Sequence, residues 1–290
     1  MGKQSRRANR QTRTSENGIA RTPRFTATLN GVTAIDPNGA ILPIVRSVDG
    51  GQSGQIIGTG FFVAHGLVIT AGHVVDVSIE DSSTKNAPLL DAPLWCVQIL
   101  PGTNEYYWRP IERVSRHNRS DIALCRLRPH FDGRGKPLGN PVLRLRDHDP
   151  EIGTPVATYA HPDSRVSRRG TRVKMELRPH YYEGRIEEHF PIRRDSGNIT
   201  WPCFQTSIHI HGGASGGPVF DAVTGHVFGI CATSFEPYTD TSYVTKIHDA
   251  MEMPVSGVPM HGGRGSVTMT LGELHRQADV MGSALHPFLG

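Results

Sequence analysis

No apolar run of 18 residues occurs anywhere in this 290-residue chain, and that is the length a helix needs to cross the hydrocarbon of a bilayer. No membrane span is expected. The N-terminus also has no apolar core of a secretory signal, so the expected location is cytoplasmic. Gly2 opens like a myristoylation site, but Arg6 stands where that motif requires Ser or Thr, which excludes it. Cysteine is scarce as well. Cys96, Cys125, Cys203 and Cys231 lie far apart in apolar surroundings with no CxxC pair, so the common zinc and redox patterns are absent. In a chain without an export signal, free buried thiols are expected in preference to disulfides. Strongly helical stretches are few, and no repeat period is evident.

Glycine (32) and proline (21) are plentiful, and short Val/Ile/Thr-rich runs recur between turn signals. That composition favours an all-β design. The formal charge of +4 is concentrated at one end. Lys3, Arg6, Arg7, Arg10, Arg13, Arg21 and Arg24 against Glu16 give residues 1–24 a net +6, which leaves −2 for all the rest. A basic groove on the folded body is therefore not expected. Residues 1–24 read as a disordered basic arm, either a solubilising tail or a contact for an acidic or nucleic-acid partner.

Strands are expected at residues 41–48, across a hairpin at 54–71 with its corner at His65-Gly66, and at 95–100, 106–114 and 120–127. Residues 128–150, rich in Pro, Gly, Arg and Asp, form a natural linker. Further strands are expected at 154–160, 173–177, 181–186, 205–210, 218–220 and 226–231. A short helix suits residues 243–253, and an amphipathic one suits the stretch from Leu271. Two six-stranded antiparallel barrels account for this pattern. The divisions are residues 1–24 (arm), 25–127 (first barrel), 128–150 (linker), 151–255 (second barrel) and 256–290 (C-terminal extension with a short helical segment).

Three segments carry chemistry: Thr70-Ala71-Gly72-His73-Val74, Ser120-Asp121-Ile122-Ala123-Leu124 and Gly213-Ala214-Ser215-Gly216-Gly217-Pro218. The last describes an exposed hydroxyl on a tight turn, where small residues let backbone N–H groups converge on one point. Serine is a poor nucleophile and must pass its proton to a histidine whose other nitrogen is held by a carboxylate. His73 falls where a strand gives way to a helical turn, and Asp121 opens an apolar strand. Taken singly, a Gly/Ser turn, a structural histidine and a strand-edge acid are each common.

Together and in this order, these motifs resemble those of the trypsin-like serine peptidases of chymotrypsin fold. His73 and Asp121 are 48 residues apart, and Ser215 follows 94 later, which suits one barrel bearing the first pair and another bringing the serine. The resemblance implies His73 as general base, Asp121 as its orienting partner and Ser215 as nucleophile. It also implies that the N–H groups of Gly213 and Ser215 form the oxyanion hole. Ala214 stands where the animal digestive enzymes carry an aspartate that captures a newly cut N-terminus, so that activation switch is excluded. Val74 and His211 stand where those enzymes place disulfide cysteines. Both departures resemble bacterial or viral members.

The resemblance also implies that the pocket for the residue before the scissile bond (P1) is framed by residues 209–212 and 231–235. His209 stands where trypsin has its aspartate, so a basic P1 side chain is disfavoured. His209 with Thr233 suits Glu, Gln or a medium apolar residue. His209 and His211 are spaced for one strand face, but the sequence supplies no third ligand, and neither a metal nor a cofactor is expected. The expected partner is a protein or peptide substrate. A barrel pair that keeps the fold without turnover, and binds a protein or nucleic acid through its arm, is the alternative.

Overall fold

The computed structural model describes residues 27–29, 32–34, 37–48, 53–76, 93–100, 106–131, 135, 139–169, 172–209, 212–234, 241–260 and 265–281. The basic arm, residues 1–24, lies outside the described residues. A short hairpin, β1 (Ala27–Leu29) and β2 (Val32–Ala34), precedes the first barrel. That barrel comprises β3 (Ile41–Val48), β4 (Ser53–Ala64), β5 (Leu67–Thr70), β6 (Leu94–Ile99), β7 (Tyr106–Arg116) and β8 (Ala123–Leu127), with a one-turn helix α1 (Gly72–Asp76) after β5. The two residues of β9 (Val142–Leu143) pair back onto β1. Next come β10 (Pro155–Ala160), the hairpin β11 (Arg165–Arg169) and β12 (Arg172–Glu176), then β13 (His180–Phe190), β14 (Cys203–Thr206), β15 (Pro218–Asp221), β16 (Val227–Ser234) and β17 (Ser242–Lys246). Helix α2 (His248–Met251), the hairpin β18 (Pro254–Pro259) and β19 (Ser266–Thr270), and helix α3 (Leu271–Met281) complete the chain.

Both barrels close with one topology. The first runs β3-β4-β5-β8-β7-β6 and the second β10-β13-β14-β17-β16-β15, so each set of six is joined in the same pattern although the sequence shows no repeat. Side-chain alternation explains why their strands read as nearly unbroken apolar runs. Leu42, Ile44, Phe62 and Val68 fill the first barrel, while their neighbours Ile41, Phe61, Val63 and Ile69 face outward into a shared core with Ala157, Phe220 and Ile230 of the second. Strands buried on both faces cannot alternate apolar with polar. Val255, Val258, Leu271 and Leu274 of the C-terminal elements join this shared core. Helix α3 starts on a reciprocal cap: Thr270 N–H donates to Glu273 Oε2 at 2.8 Å, and Glu273 N–H donates to Thr270 Oγ1 at 3.2 Å.

The all-β, two-barrel architecture and the short C-terminal helix match expectation, but one strand is exchanged. Residues 173–177, expected in the second barrel, fall in β12, which pairs with β11 outside it. Charged Arg172, Lys174 and Glu176 alternate there with apolar residues, so only one face can be buried, and Val166 and Met175 pack against the cluster of Val45, Trp95 and Val97 in the first barrel. The sixth barrel strand is β17, within the stretch expected to be helical. Its Tyr243 and Val244 are buried, because β17 is paired on both edges, by β14 and β16. Tertiary pairing overrides a weak local preference there. Only α2 remains of the expected helix.

Candidate active site

β5 delivers the histidine. Its four residues are all buried, and the chain then turns sharply through Gly72 into α1. A Cβ on Gly72 would stand 2.8 Å from Arg116 Nε and 3.0 Å from Asp121 Oδ1, so the backbone passes close to the carboxylate here. His73 N–H donates to Asp121 Oδ1 at 2.8 Å, and His73 Nδ1 donates to Asp121 Oδ2 at 2.7 Å. A carboxylate only accepts, so Nδ1 carries a proton, and in the neutral ring the lone pair is on Nε2. The Asp121 side chain is 7% exposed and that of His73 is 48% exposed. The acid is thus shielded while the base reaches solvent.

Asp121 lies two residues before β8 and does not open the strand. A tight turn presents it: His117 N–H donates to Ile122 O, and Ile122 N–H to Ser120 O, each at 2.9 Å. Both carboxylate oxygens are met by His73, which offsets the cost of burying the charge. Arg116 forms an ion pair with Asp76 at the end of α1, holding the histidine-bearing turn to the strand that leads into Asp121.

The second barrel supplies the serine on the turn entering β15. Gly213 has φ +88° and Gly216 φ +85°, left-handed angles that L side chains resist. Gly217 N–H donates to Ala214 O at 3.0 Å, Gly216 N–H donates to Cys231 O at 2.8 Å, and Cys231 N–H donates to Gly217 O at 2.8 Å. The turn is therefore rigid at every peptide around Ser215. Ala214 is fully buried in the second barrel's core, so the position that would need a carboxylate to capture an N-terminus is packed with apolar neighbours.

Close contacts bring this turn to the histidine. A Cβ on Gly58 would lie 2.7 Å from Val74, the neighbour of His73, and 3.0 Å from Ser215 O. A Cβ on Gly216 would collide with Thr70, Thr59 and Ala71 of the first barrel. Ser215 Oγ itself donates to Ala232 O at 3.3 Å, so its hydroxyl is turned toward β16 and not toward His73. The nearby thiol is no rival nucleophile: Cys231 is fully buried, and burial pushes it up to about 12. All four cysteines are buried and unbonded to one another.

Beside His73 opens a cleft of about 700 Å³, walled by Arg116, Arg119 and Ser120 from the first barrel and Asn198, Thr200 and Trp201 from the loop between β13 and β14. The first-barrel wall adjoins the Asp121 motif in sequence. The second gives no local signal, because only the fold brings residues 198–201 across to His73. The expected P1 elements are less complete. His209 is half-buried before the serine turn, and Thr233 pairs through its backbone with Tyr243. His211 and residues 235–240 lie outside the described residues. Cys231 points into the barrel core and cannot line a pocket. Among the described residues no three His, Cys, Asp or Glu side chains are grouped to hold a metal.

The sequence model of the trypsin-like peptidase domain matches residues 58–230, more than half of the chain and all three motifs. No curated protein sequence matches significantly. Among solved structures, the Rv3671c protease of M. tuberculosis in its active form aligns at TM-score 0.50 and 18% identity, over 73% of this chain and 78% of that one. A serine endoprotease of Yersinia pestis aligns at TM-score 0.47 and 18% identity, over 73% of this chain and 60% of that one. The MamO protease domain of Magnetospirillum magneticum aligns at TM-score 0.48 and 15% identity, over 73% and 93%. At 18% identity the likeness to the Rv3671c protease is one of fold.

Proposed function

Because the chain belongs to the trypsin-like peptidase family, we propose that it is a serine endopeptidase working through His73, Asp121 and Ser215. The observation that carries this reading is the 2.7 Å bond from His73 Nδ1 to the shielded Asp121, beside a serine on a glycine-built turn. In the proposed reaction Ser215 Oγ leaves Ala232 O and rotates to His73 Nε2, which takes its proton as Oγ attacks the substrate carbonyl carbon. Negative charge moves to the carbonyl oxygen and is met by the N–H groups of Gly213 and Ser215. The imidazolium, stabilised by Asp121, then protonates the leaving amine as the C–N bond breaks, and an acyl-enzyme remains. Water repeats the cycle: His73 takes its proton, the hydroxide adds, and Ser215 leaves protonated with release of the acid.

The cleft between Arg119 and Trp201 leaves room for part of a substrate beside His73, on a side lined by Asp121 and not by the serine turn. The half-buried His209 supports a P1 side chain that is not basic. Turnover of a protein or peptide substrate tests the proposal. Ser215→Ala and His73→Ala should each lose roughly 10⁴-fold in kcat, and full activity in either variant would refute it.

One observation favours a second reading. Ser215 Oγ is bonded to Ala232 O, and a barrel pair that held it there permanently would bind without cutting. Its contact would be the arm of residues 1–24, with an acidic or nucleic-acid partner. Affinity for single-stranded RNA that falls steeply with salt, and is lost when residues 1–24 are deleted, would support that reading. No turnover by the intact chain would be its second requirement.

A further inference from the structure

Thr59 lies within β4, fully buried, and every one of its polar atoms is spent on the catalytic elements. Its N–H donates to Ser215 O at 2.8 Å. Its hydroxyl donates to Gly213 O at 2.9 Å and accepts from His161 N–H at 3.1 Å. Its carbonyl accepts from Thr70 Oγ1 at 2.8 Å, three residues before His73. The last β4–β5 pair in this direction is Phe61 with Ile69. Beyond it, the serine turn and the Thr70 hydroxyl take over the hydrogen bonds a longer β5 would have supplied.

The flanking glycines explain how the turn comes so near. A Cβ on Gly58 would stand 3.0 Å from Ser215 O, and one on Gly60 would stand 2.6 Å from Val68. The middle residue of Gly58-Thr59-Gly60 therefore has the only side chain of the three, and its hydroxyl meets Gly213. A peptide's C=O and N–H point in opposite directions, so holding the carbonyl fixes the plane. Thr59 holds the carbonyls of Gly213 and Ser215. The one between them, Ala214 O, is held by Gly217 N–H. Each carbonyl shares its plane with the next residue's N–H, so the bond to Ala214 O fixes the Ser215 N–H, while the two carbonyls held by Thr59 fix the peptides on either side of it, Gly213–Ala214 and Ser215–Gly216.

We infer that Thr59 is a positioning residue for the oxyanion site: its hydroxyl holds the Gly213–Ala214 peptide, which links the Gly213 N–H to the peptide that carries the Ser215 N–H, and so keeps the two donors converging. The inference rests on the peptidase reading for its kinetic consequence, though not for its geometry. Without the hydroxyl, the half-buried Gly213 O loses this donor, and its peptide is less restrained. Thr70 and His161 then no longer share one anchor with the serine turn.

The test compares the full-length wild type with Thr59→Val, which keeps the shape and loses the hydroxyl, and Thr59→Ser, which keeps the hydroxyl and loses the methyl. Two quantities are read: kcat and KM on a cleaved peptide, and hydrogen exchange of the amides in residues 212–217. Thr59→Val should lower kcat by roughly 10- to 100-fold with KM little changed, and should speed exchange in that segment. Thr59→Ser should restore both. If Thr59→Val fails to fold, Thr59→Ala replaces it against the same serine variant. Wild-type kcat and exchange in the valine or alanine variant would overturn the inference, as would equal damage in the serine variant. If the wild type proves unable to cut, the exchange arm still decides, so a failed peptidase reading is distinguishable from a failed role for Thr59.

Discussion

Asp121 does two separable things for His73: one oxygen accepts from the backbone N–H and the other accepts from Nδ1–H. Asp121→Asn keeps the size and can keep the first bond, but its amide NH₂ then faces Nδ1 and donates to it. That forces the proton onto Nε2, where it cannot receive the one from Ser215. We expect kcat to fall by about 10³- to 10⁴-fold with the melting temperature nearly unchanged, measured as turnover and thermal unfolding of one preparation. His161 makes a different prediction. It is fully buried, its Nε2 bonds Ile41 O at 3.3 Å, and its Nδ1 has no hydrogen-bond partner among the described residues. Burial first, opposed by the Ile41 bond and assisted by His180, holds it down to about 4.

The folded state thus refuses a proton that the unfolded chain accepts below about pH 6.5. The stability carried by neutral His161 is complete above that pH and declines toward pH 4, by about 3 kcal/mol at most. Denaturant midpoints between pH 7 and pH 4 should fall less steeply in His161→Gln than in the wild type; parallel curves would contradict this. Among single residues, the pairing of His73 with Asp121 was legible because each stands in a fixed local signature of small and apolar neighbours, as Ser215 does. Thr59 and His161 were not, because a hydroxyl in an apolar strand and a histidine after one acquire meaning only from what crosses the barrel interface.

At the level of elements, the serine turn works because glycine stands at its two left-handed positions and because the first barrel is already in contact there. Gly216→Ala would combine φ +85° with a collision against Thr59 and Ala71 backbone. We expect it to cost about 2 kcal/mol or more of stability, and to impair turnover more than Gly153→Ala. Gly153 has φ +87° but nothing within 4 Å of its Cβ position. Urea melts and kcat of the two variants separate strain from contact. Most strands were readable from their apolar runs and turn residues. β12 and β17 exchanged places because Val and Met between charges mimic a half-buried barrel strand, whereas residues 242–246 show their strand character only when β14 and β16 pair with both edges. The Thr270–Glu273 cap is a sequence signal at the start of α3 that an apolar-periodicity reading passes over.

Across the whole molecule, each barrel has its own interior, and a shared third core joins them through Ile41, Phe61 and Ile69 on one side and Phe220 and Ile230 on the other. The candidate site straddles that junction: His73 and Asp121 come from the first barrel, and Ser215 on its glycine turn from the second. Neither barrel holds all three residues, so the proposed chemistry requires the barrels to stay joined there, and Thr59 and the close contacts at Gly58 and Gly216 bridge them. The sequence implied this division from the order and spacing of three motifs. It gave no sign that the two halves share one strand topology, since that likeness resides in pairing and not in residue identity. Reaction with a fluorophosphonate, followed by intact mass and peptide mapping, tests the central claim most directly. One adduct per chain on Ser215 in the wild type, absent from Ser215→Ala and strongly slowed in His73→Ala, is the predicted result. An adduct that persists in Ser215→Ala, or a wild type that never forms one, would contradict it.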